Sequence, residues 1–460
     1  MTDFLADLRA ALGDEAVATG DAIPDRFLSD WSGVAPVRPL ALVRPRSTEE
    51  VSATLRLCTQ HRVPVVPQGG LTGLAGAAVP SADAIALSLE RMNSIESLDA
   101  TTRTLTAQAG ATVQAVQEAA AAQQLLFGVD FGARGSAQVG GALATNAGGN
   151  GVLRFGMMRE QTLGLEVVLA DGTVLPMLRP MQKNNTGYDL KQFFIGAEGT
   201  LGVITRALFR LHSGPVARAT MLVAVADFDA ALALLGRLQA RCGAGLAAFE
   251  LMWRDFIEAS MAWQQLREPF DQPHALLALV DLDGPDEALL LAALEDVLGR
   301  ALEAGLVLDA AIAQSQAQAA AFWKYREATA ELPAHMHPPV NFDVSLPMAE
   351  IGRFATACRA ALDARWPGHT SVFFGHVGDS NLHVSTDASS VGGDVEGLER
   401  LVYDLVRDFD GSISAEHGIG LHKKPYLHVS RTPGELAAMR AVKAALDPLH
   451  LLNPGKIFDR

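Results

Sequence analysis

Gly128-Val-Asp-Phe-Gly-Ala-Arg-Gly-Ser-Ala-Gln-Val-Gly-Gly-Ala-Leu-Ala-Thr-Asn-Ala-Gly-Gly-Asn-Gly-Val-Leu-Arg-Phe-Gly156 is the stretch on which the fold turns. Nine of its residues are Gly and hardly any is charged. Such a segment loses much conformational entropy on folding and buries little side chain, so its use is to let something approach the backbone closely. A flat, anionic dinucleotide approaches in that way. Two other stretches repeat the theme. Pro67-Gln-Gly-Gly-Leu-Thr-Gly-Leu-Ala-Gly76 follows directly on an expected strand, Val63 to Val66, and its amides can converge on a phosphate. Gly196-Ala-Glu-Gly-Thr-Leu-Gly-Val-Ile204 leads into a strand ending near Leu211. One Gly-rich loop alone is as readily a flexible turn; three in one chain favour a binding surface. None fits Gly-x-Gly-x-x-Gly at a strand-to-helix turn, which argues against a Rossmann nicotinamide site.

Working outward, 460 residues are too many for one core and predict two or three domains. Hydrophobic residues make up 49%, yet no apolar run is long enough to span a bilayer. The first residues, Met-Thr-Asp-Phe-Leu-Ala-Asp-Leu-Arg, read as a short amphipathic helix rather than a secretory signal, giving a cytoplasmic expectation. Cys58, Cys242 and Cys358 are too few and too far apart for a disulfide framework or an iron-sulfur cluster, and read as ordinary buried thiols. A net charge of -15 disfavours nucleic acid and anionic membranes, and leaves a small molecule or a protein as partner.

Ser47-Thr-Glu-Glu50 has capping-box spacing ahead of a helix running to about His61. Strands are expected at 84–89, 104–109 and 165–174, the last split by an Asp171-Gly172 turn, with helices at 113–124 and around Leu190. His212-Ser-Gly-Pro215 marks a boundary. Beyond it strands (221–225, 248–252, 276–282, 342–346) alternate with helices (228–241, 287–302, 317–331), and a last helix covers 433–446, an α+β pattern.

Phe373-Phe-Gly-His-Val-Gly-Asp-Ser-Asn-Leu-His-Val384 reads as two strands around a tight Gly-Asp-Ser-Asn turn that sets His376 and His383 side by side. Ser412-Ile-Ser-Ala-Glu-His-Gly-Ile-Gly420 adds Glu416 and His417. Two His, a carboxylate and a spare imidazole suit a divalent cation with its own base. A lone His in an apolar strand is more often simply packed.

Taken together, the three Gly-rich stretches, the His hairpin, Ala415-Glu-His-Gly418 and Asn453-Pro-Gly-Lys456, in this order, resemble the FAD-linked 2-hydroxyacid dehydrogenases of the vanillyl-alcohol oxidase type. That group includes D-lactate, D-2-hydroxyglutarate and glycolate dehydrogenases, and the likeness runs from about Arg38 to Phe458. The resemblance implies an α+β chain in three parts. Residues 1–215 would be a two-subdomain FAD-binding domain, 216–385 a substrate-binding cap, and 386–460 a helical segment returning to the flavin. Pro67, Gly69, Gly70, Leu71, Thr72, Gly73 and Leu74 would hold the FAD pyrophosphate. Gly135, Ser136, Gly140, Gly141, Thr145, Asn146, Gly148, Gly149 and Gly151 would cradle the flavin, with Glu198, Gly202, Val203, Ile204 and Asn453 completing the cofactor site. Leu71 stands where covalent members carry a flavinylated His, which implies non-covalent FAD.

By the same resemblance His376, His383 and Glu416 ligate a divalent metal, zinc first and manganese or iron next, and His417 is the base. Arg326, in Phe-Trp-Lys-Tyr-Arg-Glu-Ala-Thr, matches the Arg that grips the substrate carboxylate, with Asn381 and Thr329 as further substrate contacts. On a bland reading Arg326 is a salt-bridged helix face, Lys456 a surface charge, and His335 and His337 a surface loop. Relatives acting on 2-hydroxyglutarate carry a hydroxyl residue and a Lys where this chain has Ala330 and Asn341, so a D-lactate-like substrate stands beside D-2-hydroxyglutarate. Implied partners are an electron acceptor, such as an electron-transfer flavoprotein or a quinone-linked carrier, and a second copy in a homodimer. The rival readings are a flavoprotein subunit of a glycolate-oxidase-like complex with a separate iron-sulfur chain, and a non-redox metal hydrolase.

Overall fold

The structure, a computed structural model, describes residues 2–459. Two units emerge: one formed by residues up to 149, 155–214 and 416 onward, the other by 150–154 and 215–415.

The first unit holds two main sheets. β1 (Val17–Ala18), β2 (Ala41–Val43), β3 (Val65–Gln68) and β4 (Ile85–Ser88) form the smaller, in the order β1-β2-β4-β3, parallel except at β1. Its helix, Thr48–His61, starts where the sequence places it, with the Ser47 side chain accepting from the Glu50 amide. The Glu50 carboxylate reaches back to the Arg46 amide instead of Ser47, so the capping box is only half made. Val51, Leu55 and Cys58 on that helix are buried against Val43, Val65, Ile85 and Leu87.

β5 (Ile95–Asp99), β6 (Thr104–Gln108), β8 (Thr162–Val168), β9 (Val174–Met177) and β10 (Val203–Arg210) make an antiparallel sheet in the order β5-β6-β10-β8-β9, while β7 (Leu125–Leu126) pairs with β11 (His212–Ser213). The turn between β8 and β9 falls at Asp171-Gly172, where Gly172 has φ +84, a conformation L residues adopt at a cost. Part of the Gly-rich stretch is helical, Val139–Thr145, which its composition did not predict. Burial of Val139, Ala142 and Leu143 in the core beneath this sheet outweighs the poor helix propensity of its glycines.

In the second unit, β12 (Ala217–Val225), β13 (Leu246–Trp253), β14 (Leu276–Gly284), β15 (Val307–Ile312), β16 (Pro339–Ser345), β17 (Ser371–Gly375) and β18 (Asn381–Asp387) form one antiparallel sheet in the order β15-β12-β14-β13-β17-β18-β16. This unit continues to Ala415, thirty residues beyond the expected end of the cap at 385. Helix Val395–Asp408 lays Tyr403 against Phe342 of β16, and Ser412 bridges to Ser345. One sheet face is apolar, where Leu222, Leu277, Leu279, Met252, Val372 and Phe374 pack on helices Arg254–Gln264 and Gln316–Glu327. Strand alternation carries that same face into polar residues farther along: Thr220 opposite Asp281, Glu250 on β13, and His383 opposite Asp343. Among the described residues no helix is long and apolar enough to cross a membrane. Cys58 and Cys358 are buried and Cys242 half-buried, all three without a disulfide.

Candidate functional site

In the first unit the loop after β3 and the Gly-rich stretch meet backbone to backbone. A Cβ on Gly70 would stand 1.9 Å from the Ser136 carbonyl oxygen, and one on Gly69 3.2 Å from the Gly141 Cα. These two glycines therefore serve the protein's own packing, whereas Gly73 has room for a Cβ, its nearest neighbour being the Asp30 carboxylate at 3.5 Å. Leu71, beside them, has φ +60. Thr145 donates back to the Gly141 carbonyl, and Asn146 accepts the Arg159 amide through Oδ1. Val203 and Ile204 lie buried in β10, and Gly202 is small because Val167 and Phe194 crowd it.

The returning segment is threaded through the same unit. Glu198 is buried at φ +50, and its carboxylate accepts the Ile419 and Gly420 amides at 2.7 and 2.8 Å. Burial pushes its pKa up, against the opposing pull of those amides and of Lys423 and Lys456. Glu416 accepts the Gly149 amide at 3.0 Å. Asn453 donates to the Ala77 and Glu198 carbonyls, and Lys456, read from sequence as a surface charge, is buried with Nζ on the Val79 carbonyl at 2.7 Å. An ammonium at a chain end can be drawn inside when a loop carbonyl receives it.

A fit to FAD rests on these observations. Gln138 Oε1, beside Gly69, and Asn453 Oδ1 are buried acceptors without a donor among the described residues, which is unusual unless a bound group supplies one. Gly73 leaves its backbone open except toward the Asp30 carboxylate.

The second unit holds His376, His383, Arg326, Asn381 and Thr329, while His417 belongs to the first. The turn after β17 closes through the Asn381 amide donating to the His376 carbonyl, with Ser380 at φ +73. It brings the His376 and His383 rings to a centroid distance of 5.5 Å, close to edge-on. His383 stacks on Phe374 at 5.0 Å. His376 Nδ1 lies 2.5 Å from Glu250 Oε1; a carboxylate only accepts, so Nδ1 carries the proton and Nε2 keeps its lone pair. Arg326 is not a solvated face residue. It is buried, donates through Nε to Glu250 Oε2 at 2.6 Å, points Nη2 at His376 Nε2 at 3.2 Å, and lies over Phe374. Burial would raise the Glu250 pKa, but His376 and Arg326 overcome it and bring it to about 2.

Asn381 donates to Asp343 Oδ1 at 2.8 Å, which leaves its buried Oδ1 fixed in direction and without a partner among the described residues. Asp343 also receives the Ala415 amide on its carbonyl at 3.2 Å, immediately before Glu416 and His417 in the chain. Thr329 is half-buried in the turn that ends the Arg326 helix, Ala330 is exposed, and Asn341 is exposed with its Oδ1 taken by the Ser385 hydroxyl. His335 stacks on Trp263, a surface role. Glu250 is the residue that sequence reading passed over. Its signal was a lone carboxylate inside the apolar strand Leu246–Trp253, where a charge must find a partner.

Comparison with known proteins gives two sequence-family matches: "FAD binding domain" over residues 39–177 and "FAD linked oxidases, C-terminal domain" over 214–457. The chain is 40% identical to the D-2-hydroxyglutarate dehydrogenase of Xanthomonas citri pv. viticola over 100% of its own length and 98% of the relative's. To that of Stutzerimonas stutzeri it is 35% identical, covering 100% of both. Among solved structures, p-cresol methylhydroxylase superposes with TM-score 0.77 at 18% identity, covering 100% of this chain and 97% of that one. Alkyldihydroxyacetonephosphate synthase gives 0.76 at 17%, covering 99% and 84%. These two likenesses concern the fold alone; taken with the FAD binding domain match, they agree with the expected α+β architecture containing an FAD-binding domain.

Proposed function

The chain belongs to the family of FAD-linked oxidases, and from that premise we propose the chemistry of its residues. It is a flavin-dependent dehydrogenase that oxidises a D-2-hydroxyacid to the 2-oxoacid, the class named for its full-length relatives. The observation that carries the reading is a buried guanidinium, Arg326, beside two imidazoles on one sheet face. A carboxylate needs the first and an alcohol losing its proton needs the second.

Arg326 holds the substrate carboxylate, and Asn381 Oδ1 accepts a hydrogen bond from a substrate hydroxyl or a bound water. His376, through the lone pair on Nε2, His383 and Glu416 provide the nitrogen and oxygen donors that suit zinc, manganese or iron. His417 takes the hydroxyl proton. FAD, held non-covalently by the loop after β3 and the Gly-rich stretch, would supply the hydride acceptor, and a cation held by His376, His383 and Glu416 would lower the pKa of the hydroxyl whose proton His417 takes. Atoms balance: the hydroxyacid loses one hydride and one proton and leaves as the 2-oxoacid. The electrons pass on to a soluble or quinone-linked carrier, in a cytoplasmic protein whose assembly to test is a dimer.

D-2-hydroxyglutarate is the first substrate to try. Ala330 and Asn341 put no cation at the expected distal positions, which favours D-lactate or a longer neutral acid as the second. Purified protein mixed anaerobically with each acid, with and without a chelator, tests both levels. Bleaching of the flavin by D- but not L-acids, suppressed by the chelator and restored by zinc or manganese, is expected. A yellow protein that no 2-hydroxyacid bleaches refutes the reading.

A further inference from the structure

We propose that Glu250 is a positioning residue that fixes His376 and Arg326 together, aiming a metal-ligand lone pair and a substrate-binding guanidinium from one carboxylate. The inference rests on the roles given above to His376 and Arg326 and extends them to a residue that touches neither substrate nor metal.

Glu250 is 1% exposed in the middle of β13. Its neighbours along the strand, Phe249 and Leu251, are buried too, so water does not solvate the charge. Both oxygens are used, and by different groups: Oε1 by His376 Nδ1 at 2.5 Å and Oε2 by Arg326 Nε at 2.6 Å. Each bond selects an orientation. The first places the imidazole proton on Nδ1 and turns the Nε2 lone pair toward Arg326 Nη2, 3.2 Å away, with a carboxylate behind the histidine, the arrangement that makes it a better ligand. The second spends Nε, and with one Nη2 N–H directed at His376 it leaves Nη1 and the other Nη2 N–H of Arg326 to hold a carboxylate. Because Nη2 lies 3.2 Å from His376 Nε2, whatever those groups grip sits beside the ligating nitrogen. An α-hydroxyacid carries its carboxylate and hydroxyl on adjacent carbons, which matches that adjacency. The strands explain why one residue can do both jobs: β13 pairs with β17 through Leu251 opposite Gly375, placing Glu250 level with His376, and the Arg326 helix packs on the same face.

Both donors point N–H groups at residue 250, so an amide there can accept from only one and turns its own NH2 at the other. The test uses full-length, FAD-loaded protein and the variants Glu250→Gln, Glu250→Asp and Glu250→Ala. Zinc Kd is measured by competition with a chromophoric chelator, and KM and kcat for the best hydroxyacid at saturating zinc. Glu250→Ala is expected to raise the zinc Kd ~10- to 100-fold, the scale for partners behind a metal-binding histidine, and to raise KM as well. Glu250→Gln is expected to raise at least one of the two, and Glu250→Asp to recover part of both. A folded, yellow variant with wild-type zinc Kd and wild-type KM overturns the proposal. So does the outcome in which none of the three folds and keeps FAD, which assigns the carboxylate to structure alone. Should wild-type protein bind no divalent cation, the metal reading above fails, and that failure is seen in the wild-type arm.

Discussion

Gly70→Ala separates glycines that serve the fold from glycines that serve the cofactor. The added Cβ would lie 1.9 Å from the Ser136 carbonyl oxygen and 2.9 Å from the Ala137 Cα, where real Cβ atoms keep at least 3.0 Å. One of the two backbones must therefore move by 1.1 Å, the difference of the two values for the oxygen. Neither neighbour is a flexible side-chain end, and Ser136 and Ala137 are both tied to the Ala133 carbonyl, so the strain has no cheap release. Overpacking of this kind costs ~1–3 kcal/mol, or roughly 2–4 °C of Tm per kcal/mol for a domain of this size. Gly73→Ala meets only the Asp30 carboxylate at 3.5 Å, an ordinary contact. The assay is thermal unfolding of FAD-stripped protein alongside FAD affinity by fluorescence titration. Gly70→Ala is expected to lose stability without FAD present. Gly73→Ala should keep the stripped protein's Tm and weaken FAD binding. The reasoning is refuted if Gly70→Ala leaves the stripped protein's Tm unchanged, or if Gly73→Ala is the one that lowers it.

Three other outcomes are expected. His417→Ala should lower kcat by ~10²–10⁴, the range for general-base catalysis, with FAD retained; undiminished turnover at saturating substrate removes His417 from that role. Arg326→Lys keeps the charge but not the fork that spans Glu250 and the space beside His376 Nε2. KM for the hydroxyacid should rise ~10-fold or more, the scale of one charge-assisted hydrogen bond, and an unchanged KM would count against the carboxylate grip. Lys456 titrates at about 8 rather than 10.5 because burial outweighs Asp30 and Glu198. Below about 8 both states hold the proton and the fold bears the full cost of the buried charge. Between about 8 and 10.5 only the unfolded chain still holds it, so stability rises with pH over that window. Lys456→Met should flatten that rise in denaturant midpoints measured across it, and an equally steep rise in the variant would contradict the assignment.

Much of the architecture was legible because the chemistry is local. The turn at Asp171-Gly172, the N-cap at Ser47 and the last helix, Pro433–Leu446, follow from residue types a few positions apart. The His376–His383 pairing followed from a tight turn between strands. Helix Val139–Thr145 was not legible, since its glycines argue against it and only the core beneath the sheet for which Leu143 is buried supplies the reason. Helices Arg254–Gln264, Ile351–Arg365 and Val395–Asp408 and strand Val307–Ile312 were likewise missed.

By itself the sequence carried the class of chemistry: Gly-rich loops, paired imidazoles and a following Glu-His, in a fixed order, resemble a family of flavin enzymes, and the FAD-linked relatives bear that out. Only the tertiary structure decided which polar groups share a charge. Glu250 and Arg326 are separated by 76 residues and Glu250 and His376 by 126. No local pattern couples them. A buried carboxylate must find its partners wherever strand order brings them, and here β13 lies beside β17 while the Arg326 helix packs on the same sheet face over β12 and β14. Lys456 belongs to the same lesson, a terminal cation that looked solvated until the Val79 carbonyl was seen to receive it.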